Sequence, residues 1–141
     1  MPTCPSCGFD MDAEVIRWWA LVLDLEALSG NVTKSSGRGR SGWKYRDHRK
    51  ECTLAVGKVL KYTDVPQAEM KRRVTVTRLW GKGCRAFDVD NLAWGFKPLF
   101  DELKSRGLIV EDSPKWVDRI YRQAKSEDGR PKVLVRIEEL E

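Results

Sequence analysis

The sequence predicts one small α+β domain, a mixed β-sheet carrying two main helices, behind a short cysteine-containing N-terminal appendage. Three observations point there. The chain has 141 residues, enough for one real core and too few for two good ones. Two stretches, 17–28 and 71–80, alternate apolar and polar residues with the period of a half-buried strand. A third, 44–60, sets Cys52, Val56 and Leu60 four apart, the spacing of one helix face.

Residues 1–14 form the appendage and 15–141 the domain. From Arg17 to Leu28, Leu21, Leu23, Leu25 and Ala27 share one face, and Asp24 and Glu26 lie on the other, as in a strand. Ser29 to Gly42 is rich in glycine and serine and predicts a loop. Lys44 to Leu60, with Leu54 beside its apolar positions, predicts a basic amphipathic helix. Lys71 to Trp80 sets Val74, Val76 and Arg78 against Thr75, Thr77 and Leu79, a second strand that ends in the turn Gly81 to Gly83.

Asp90 or Asn91 can cap the next helix, since a short polar side chain accepts from its unpaired N–H groups. Leu99, Phe100 and Leu103 supply its apolar side, Pro98 predicts a kink, and Gly107 is a good terminator. Trp116 to Gln123 and Lys132 to Ile137 then read as strands. Asp128-Gly129 between them is a hairpin signal. Trp18, Trp19, Trp80 and Trp116 are assigned to core or dimer contacts.

Composition bounds the class. Charged residues make up 33% and hydrophobic ones 41%, the balance of a soluble globular protein. The longest apolar run, Trp18 to Leu23, stops at Asp24, far short of a membrane span. The start Met-Pro-Thr-Cys has neither a basic nor an apolar signal region, so a cytosolic location and no membrane partner are expected. Net charge is +5, yet between Lys34 and Arg85 fifteen basic residues face four acids, leaving the remainder at −6. Such segregation suits a polyanion partner. Arg38, Arg40, Lys44, Arg46, Arg49 and Lys50 are the expected DNA-binding residues, and Trp43 and Tyr45 could stack on exposed bases.

Four cysteines do not make a disulfide framework here. Cys4 and Cys7, in C-P-S-C-G, look like one knuckle of a zinc ribbon. A structural zinc ion normally takes four ligands, so the pair would need a second subunit, Cys52 or Cys84 to complete a site. The string Gly37-Arg38-Gly39-Arg40-Ser41-Gly42 matches G-x-G-x-x-G but lacks a βαβ setting, and Trp43 stands where a Walker lysine would follow. His48, the only histidine, excludes chemistry that needs two and is expected on the surface of the basic helix.

The chemistry concentrates between Phe87 and Val117. Asp88 and Asp90 bracket one residue, so on an extended backbone both carboxylates leave the same face. Asp112, with Glu111 beside it, follows the helix. Clustered carboxylates repel unless a proton or a cation intervenes, and oxygen-rich sites suit hard ions such as magnesium, with manganese as a substitute. Metal-assisted phosphoester chemistry is therefore the first reading. The competing one is that Asp88 and Asp90 merely cap a helix.

Asp88-Val-Asp90-Asn91-Leu92, with Lys97 downstream and Glu111-Asp112-Ser113 beyond the helix, resembles the RusA family of Holliday-junction resolvases, and most of all its phage and prophage members. The family pattern is D-x-D-N, a lysine on the following helix, then G-x-x-x-D-D-S. The match runs from Asp88 to Val117 and extends through the two terminal strands; upstream, the first strand, Asn31 and the basic helix fit the general layout. The resemblance implies Asp88, Asp90 and Asp112 as magnesium ligands and Lys97 as the catalytic cation. Lys97 lies farther from D-x-D-N than the pattern has it, which requires an insertion at 93–96; Trp94 takes the ungapped position. Glu111 replaces the first aspartate of the downstream pair. The function so implied is a homodimeric, magnesium-dependent endonuclease that resolves four-way DNA junctions by paired nicking in recombination and repair. Two-fold symmetry would set two sites on opposed strands. The alternative is a non-catalytic DNA-binding module whose carboxylates are structural and whose cysteines form a zinc-mediated dimer contact.

Overall fold

The computed structural model describes residues 14–29 and 39–140, the side chains of 39–44 excepted. Its elements are β1 (Val15–Leu23), α1 (Gly39–Leu60), β2 (Arg72–Trp80), α2 (Val89–Gly95), α3 (Lys97–Ser105), β3 (Val117–Lys125) and β4 (Lys132–Leu140). The four strands form one mixed sheet in the order β1-β4-β2-β3. β4 is antiparallel to both β1 and β2, and β3 runs parallel to β2. A parallel pair cannot close through a tight turn, so the segment between β2 and β3 crosses over and carries α2 and α3. The candidate site lies in that crossover.

Alternation decides which face is inside. Leu21, Leu23, Val74, Val76, Val133, Val135 and Ile137 are all at or below 1% exposure and pack with Cys52 and Val56 of α1 and Leu99, Phe100 and Leu103 of α3. Arg78 continues the inward face of β2 and is 4% exposed, with its guanidinium 3.4 Å from the Phe87 ring centroid. The opposite face of β1 leaves Ile16, Trp18 and Val22 more than half exposed. Trp18 therefore lies outside the core, with Arg136 over its ring at 4.4 Å.

Several sequence expectations change. The alternation of Leu25 and Ala27 is real, since both are buried, but pairing stops at Leu23↔Val133 because β4 begins one residue earlier, at Lys132. The basic helix starts at Gly39, inside the expected loop. Leu54 points outward at 69% exposure. His48 is not a surface residue: it sits four before Cys52 on the apolar stripe and is 3% exposed. Burial pushes its imidazole below the ordinary histidine range, against the opposing pull of Glu51, whose Oε2 lies 3.3 Å from Nδ1. Cys52 is fully buried and its thiol is pushed up to about 12 by burial.

The hairpin expectation also fails. β3 and β4 are joined by residues 126–131 but are not neighbours; β2 lies between them. The connection passes over the end of β2, where Ser126 N donates to Trp80 O and Lys82 N to Gly129 O, both at 3.0 Å. A Cβ on Gly81 would stand 3.0 Å from the Gly129 carbonyl oxygen, so a larger residue there would push the crossing connection out by a few tenths of an ångström.

The expected single helix is two. Lys97 begins α3 directly after Phe96, with Pro98 in its first turn, where proline's missing N–H costs no helical bond. At the other end Gly107 has φ 75°, and its N–H donates to Lys104 O while Leu108 N–H donates to Leu103 O. That pair is a Schellman stop, and it sends the chain toward Asp112.

Candidate functional site

Asp88 and Asp90 are not alternate residues of a strand. Asp88 is the N-cap of α2, accepting from Asn91 N at 2.8 Å and from Asn91 Nδ2 at 2.9 Å. Asp90 lies in the first helical turn and is exposed. The segment before them is held by Gln123 of β3, whose Oε1 accepts from Phe87 N (3.0 Å) and whose Nε2 donates to Phe87 O (2.7 Å). Arg78 braces that contact, donating to Arg85 O at 2.9 Å and to Gln123 Oε1 at 3.3 Å. Neither Gln123 nor Arg78 was a candidate from sequence, since a single amide in a strand gives no local signal of such pairing.

Asp112 is anchored elsewhere on the same strand. Lys97 Nζ donates to its Oδ2 at 3.1 Å and Arg119 Nη1 to its Oδ1 at 3.2 Å. Its side chain is only 8% exposed, so it points inward and its charge is compensated by two cations. Lys97 also pairs with Asp101 at 3.0 Å, and Asp101 accepts from the Tyr45 hydroxyl at 2.6 Å. Burial pulls the Lys97 ammonium down, but Asp101 and Asp112 outweigh it and hold its pKa above the ordinary lysine value. Lys97 is thus a fixed cation, not a base.

The structure therefore brings Lys97 and Asp112 together across fifteen residues of chain. It does not gather all three aspartates. The contacts that hold Phe87 and Asp112 lie four residues apart on β3, at Gln123 and Arg119, roughly 13 Å of strand rise. Among the described residues no group of three or more histidine, cysteine, aspartate or glutamate side chains is placed to hold a metal ion. The donors still suit a hard cation in kind. Asn91 Oδ1, beside Asp88, is buried with no hydrogen-bond partner among the described atoms, as an oxygen awaiting a cation or its water would be. At Asp112 an ion would have to displace Lys97 or Arg119.

Beside this pair opens a cavity of about 550 Å³, lined by Trp94, Lys97, Phe100, Asp112, Arg119 and Tyr121 among others. Arg119 and Tyr121 alternate with Asp118 and Ile120 along β3, so both face the crossover helices.

The basic residues divide. Arg46 and Lys50 are exposed on α1. Arg49 is engaged internally, donating to Glu102 at 3.2 Å and to Ser105 at 3.0 Å. Glu102 is buried; burial alone would raise its pKa, but Arg106, Thr53 and Arg49 reverse the sign and hold it below the usual range. Arg40 and Lys44 lie on α1, but their side chains, like Arg38, Asn31, Cys4 and Cys7, fall outside the described residues. Of the remaining basic segment, Arg72 and Arg78 are interior and Lys71 pairs with Asp118 at 2.9 Å, so part of its charge stabilises the fold. Among the described residues, no helix is long and apolar enough to cross a membrane.

No protein-family model and no curated protein matches this chain. The fold and its site define a small mixed-sheet domain with a lysine–aspartate pair at the mouth of an aromatic cavity.

Proposed function

We propose that the chain is a metal-dependent endonuclease of RusA-like type that nicks branched DNA, four-way junctions above all, as a homodimer in recombination and repair. The observation that carries the reading is the pairing of Lys97 with Asp112 at 3.1 Å beside an open cavity, because these residues are remote in sequence and both belong to the family-like pattern. Asp88 and Asp90 would hold a magnesium or manganese ion, with Asp112 joining them only by giving up Lys97 or Arg119; such an ion would supply an acidified water and screen the phosphoryl oxygens. Lys97 keeps a positive charge where a phosphate can reach it. Arg119 orients Asp112, and Gln123 and Arg78 fix the approach to Asp88. Arg46 and Lys50, with Arg38, Arg40 and Lys44, would neutralise the duplex arms, so binding should weaken steeply with salt.

The purified protein is expected to nick a synthetic four-way junction when magnesium is supplied, and Asp90→Asn to bind the junction without cutting it. Equal cutting of junction and linear duplex would remove the junction preference and leave a nuclease. A second test uses Asp101. Because Asp101 helps keep Lys97 protonated, Asp101→Asn should let Lys97 lose its proton at a lower pH. The alkaline limb of the rate profile should then move acidward with the acid limb unmoved; an unshifted limb would mean Lys97 does not act through its charge.

A specific observation favours a second reading. Both oxygens of Asp112 are taken by cations and Asp88 serves as a helix cap, as expected of structural carboxylates in a DNA-binding module that cuts nothing. Junction binding with no cleavage at any magnesium or salt concentration would select it.

A further inference from the structure

A phosphodiester needs only cations on a surface, yet the site opens into something deeper. The cavity beside Lys97 and Asp112 measures about 550 Å³, within the span of pockets that enclose a small ligand, roughly 300–1,000 Å³. Its lining divides by chemistry. Trp94, Phe100, Pro114, Val117 and Tyr121 are aromatic or apolar, whereas Lys97, Asp112, Asp118 and Arg119 are charged. The aromatic wall is fixed: Tyr121 stacks on Phe96 with centroids 6.1 Å apart and meets Phe100 edge-on at 6.0 Å. Those contacts keep Tyr121 from collapsing into the space. Trp94, on the last turn of α2, is 51% exposed, so a large aromatic surface stands in the water at the cavity.

An apolar guest would bury the Lys97–Asp112–Arg119 ion pairs without a polar partner of its own, and a bare phosphate would leave the aromatic surface unused. A guest with a planar ring and an attached anion satisfies both. We propose that the cavity receives one unstacked nucleotide of branched DNA, its base against Trp94 and Tyr121 and its phosphate toward Lys97 and Arg119. This rests on the DNA-cutting reading and deepens it by naming what selects the substrate. Taking a base out of an unbroken duplex costs stacking and pairing, and the cost is least where pairing is already interrupted. A pocket that must be filled by an extruded base therefore favours branch points without reading sequence. Burial keeps the Tyr121 hydroxyl above the ordinary tyrosine pKa, so it stays a donor for a base edge.

The test places 2-aminopurine, which brightens when it leaves the stack, at each position flanking the branch of a four-way junction. Binding is measured first, without divalent ion, so that nothing is cut. The wild-type protein should raise emission several-fold at one flanking position and barely at all within unbroken duplex. Trp94→Phe should keep most of the rise. Trp94→Ala should lose it and, with magnesium, nick about ten-fold or more slowly, the expected cost of one lost base–aromatic stack. Trp94→Gln, a good helix former at a half-exposed site, serves the same purpose where the alanine variant does not fold. No rise at any flanking position with the junction saturated, or an equal rise with Trp94→Ala or Trp94→Gln, overturns the pocket assignment. Nicking without a rise sinks the pocket and keeps the nuclease; a rise without nicking keeps the pocket and sinks the nuclease. Failure to bind the junction at all sinks both.

Discussion

Asp112→Asn is expected to lower the rate of junction nicking by two orders of magnitude or more while leaving junction binding as tight as before, or tighter. The side chain is 8% exposed and meets Lys97 at 3.1 Å and Arg119 at 3.2 Å. Asparagine keeps its volume and one acceptor oxygen, so the packing of the crossover is preserved. What it removes is the charge. Loss of one charged group acting on the reacting phosphate typically costs several kcal/mol of barrier, and about 2.7 kcal/mol is a hundredfold. Arg119 loses its carboxylate partner and Lys97 one of two at the same stroke, which favours a polyanion. Rate and affinity should therefore move apart, or the rate alone should fall. The measurement is a single-turnover nicking rate at saturating protein, beside a binding titration at the same ionic strength. A variant that cuts within a factor of three of wild type would reduce Asp112 to an ion-pair partner. A parallel loss of binding and rate would point to a folding defect instead.

Much of the fold could be read from residue order because sheet alternation and helix period are local. Val74, Val76 and Arg78 were legible as one face because each lies two from the next, and an arginine on that face is 4% exposed as the pattern requires. His48 was legible too, since it lies four residues before Cys52, but a histidine among basic neighbours reads as surface. Other features depend on what lies between elements. The turn at Asp128-Gly129 is real, with Gly129 at φ 75°; no local signal says that β2 separates the strands it joins. At the site, Lys97 and Asp112 come together as their shared pattern suggests, because α3 and its Gly107 stop set the distance between them. Asp88 and Asp90 do not share a face, because Asp88 spends its carboxylate on the first turn of α2. Helix capping and extended alternation make opposite demands on the same two residues, and the cap prevails because it satisfies N–H groups that would otherwise go unpaired. Gln123, Arg119 and Tyr121 come from β3, whose pairing partner is forty-five residues upstream in register; only tertiary structure places them.

The largest effect on stability is expected from Glu139→Ala, a loss of about 3–5 kcal/mol. Glu139 is 5% exposed and Arg72 fully buried. Arg72 Nη2 donates to Glu139 Oε2 at 2.9 Å, and Arg17 reaches the same carboxylate at 3.1 Å. Trp19 is flanked by both guanidinium groups, at 5.0 and 4.9 Å from its ring. Removing the carboxylate leaves Arg72 charged, interior and short of its counter-ion, which costs far more than the pair itself contributes. The thermal midpoint should fall by roughly 10 °C or more. The consequence reaches the site, because Arg72 Nη1 also donates to Leu108 O at 3.0 Å, on the stretch that leads to Asp112. Acid should show the same contact from the other side. Burial would raise the pKa of Glu139, but hydrogen bonds from Arg72 and Arg17 prevail and hold it below the ordinary glutamate range. A depressed folded-state pKa gives stability that is fully present above the unfolded value, near 4.3, and is lost as pH falls through the folded one. The gap in unfolding free energy between wild type and Glu139→Gln should accordingly be constant from pH 8 to about pH 5.5 and narrow below about pH 4. A gap that stayed constant down to pH 3, followed by urea denaturation, would show that Glu139 acts through packing and not through its charge.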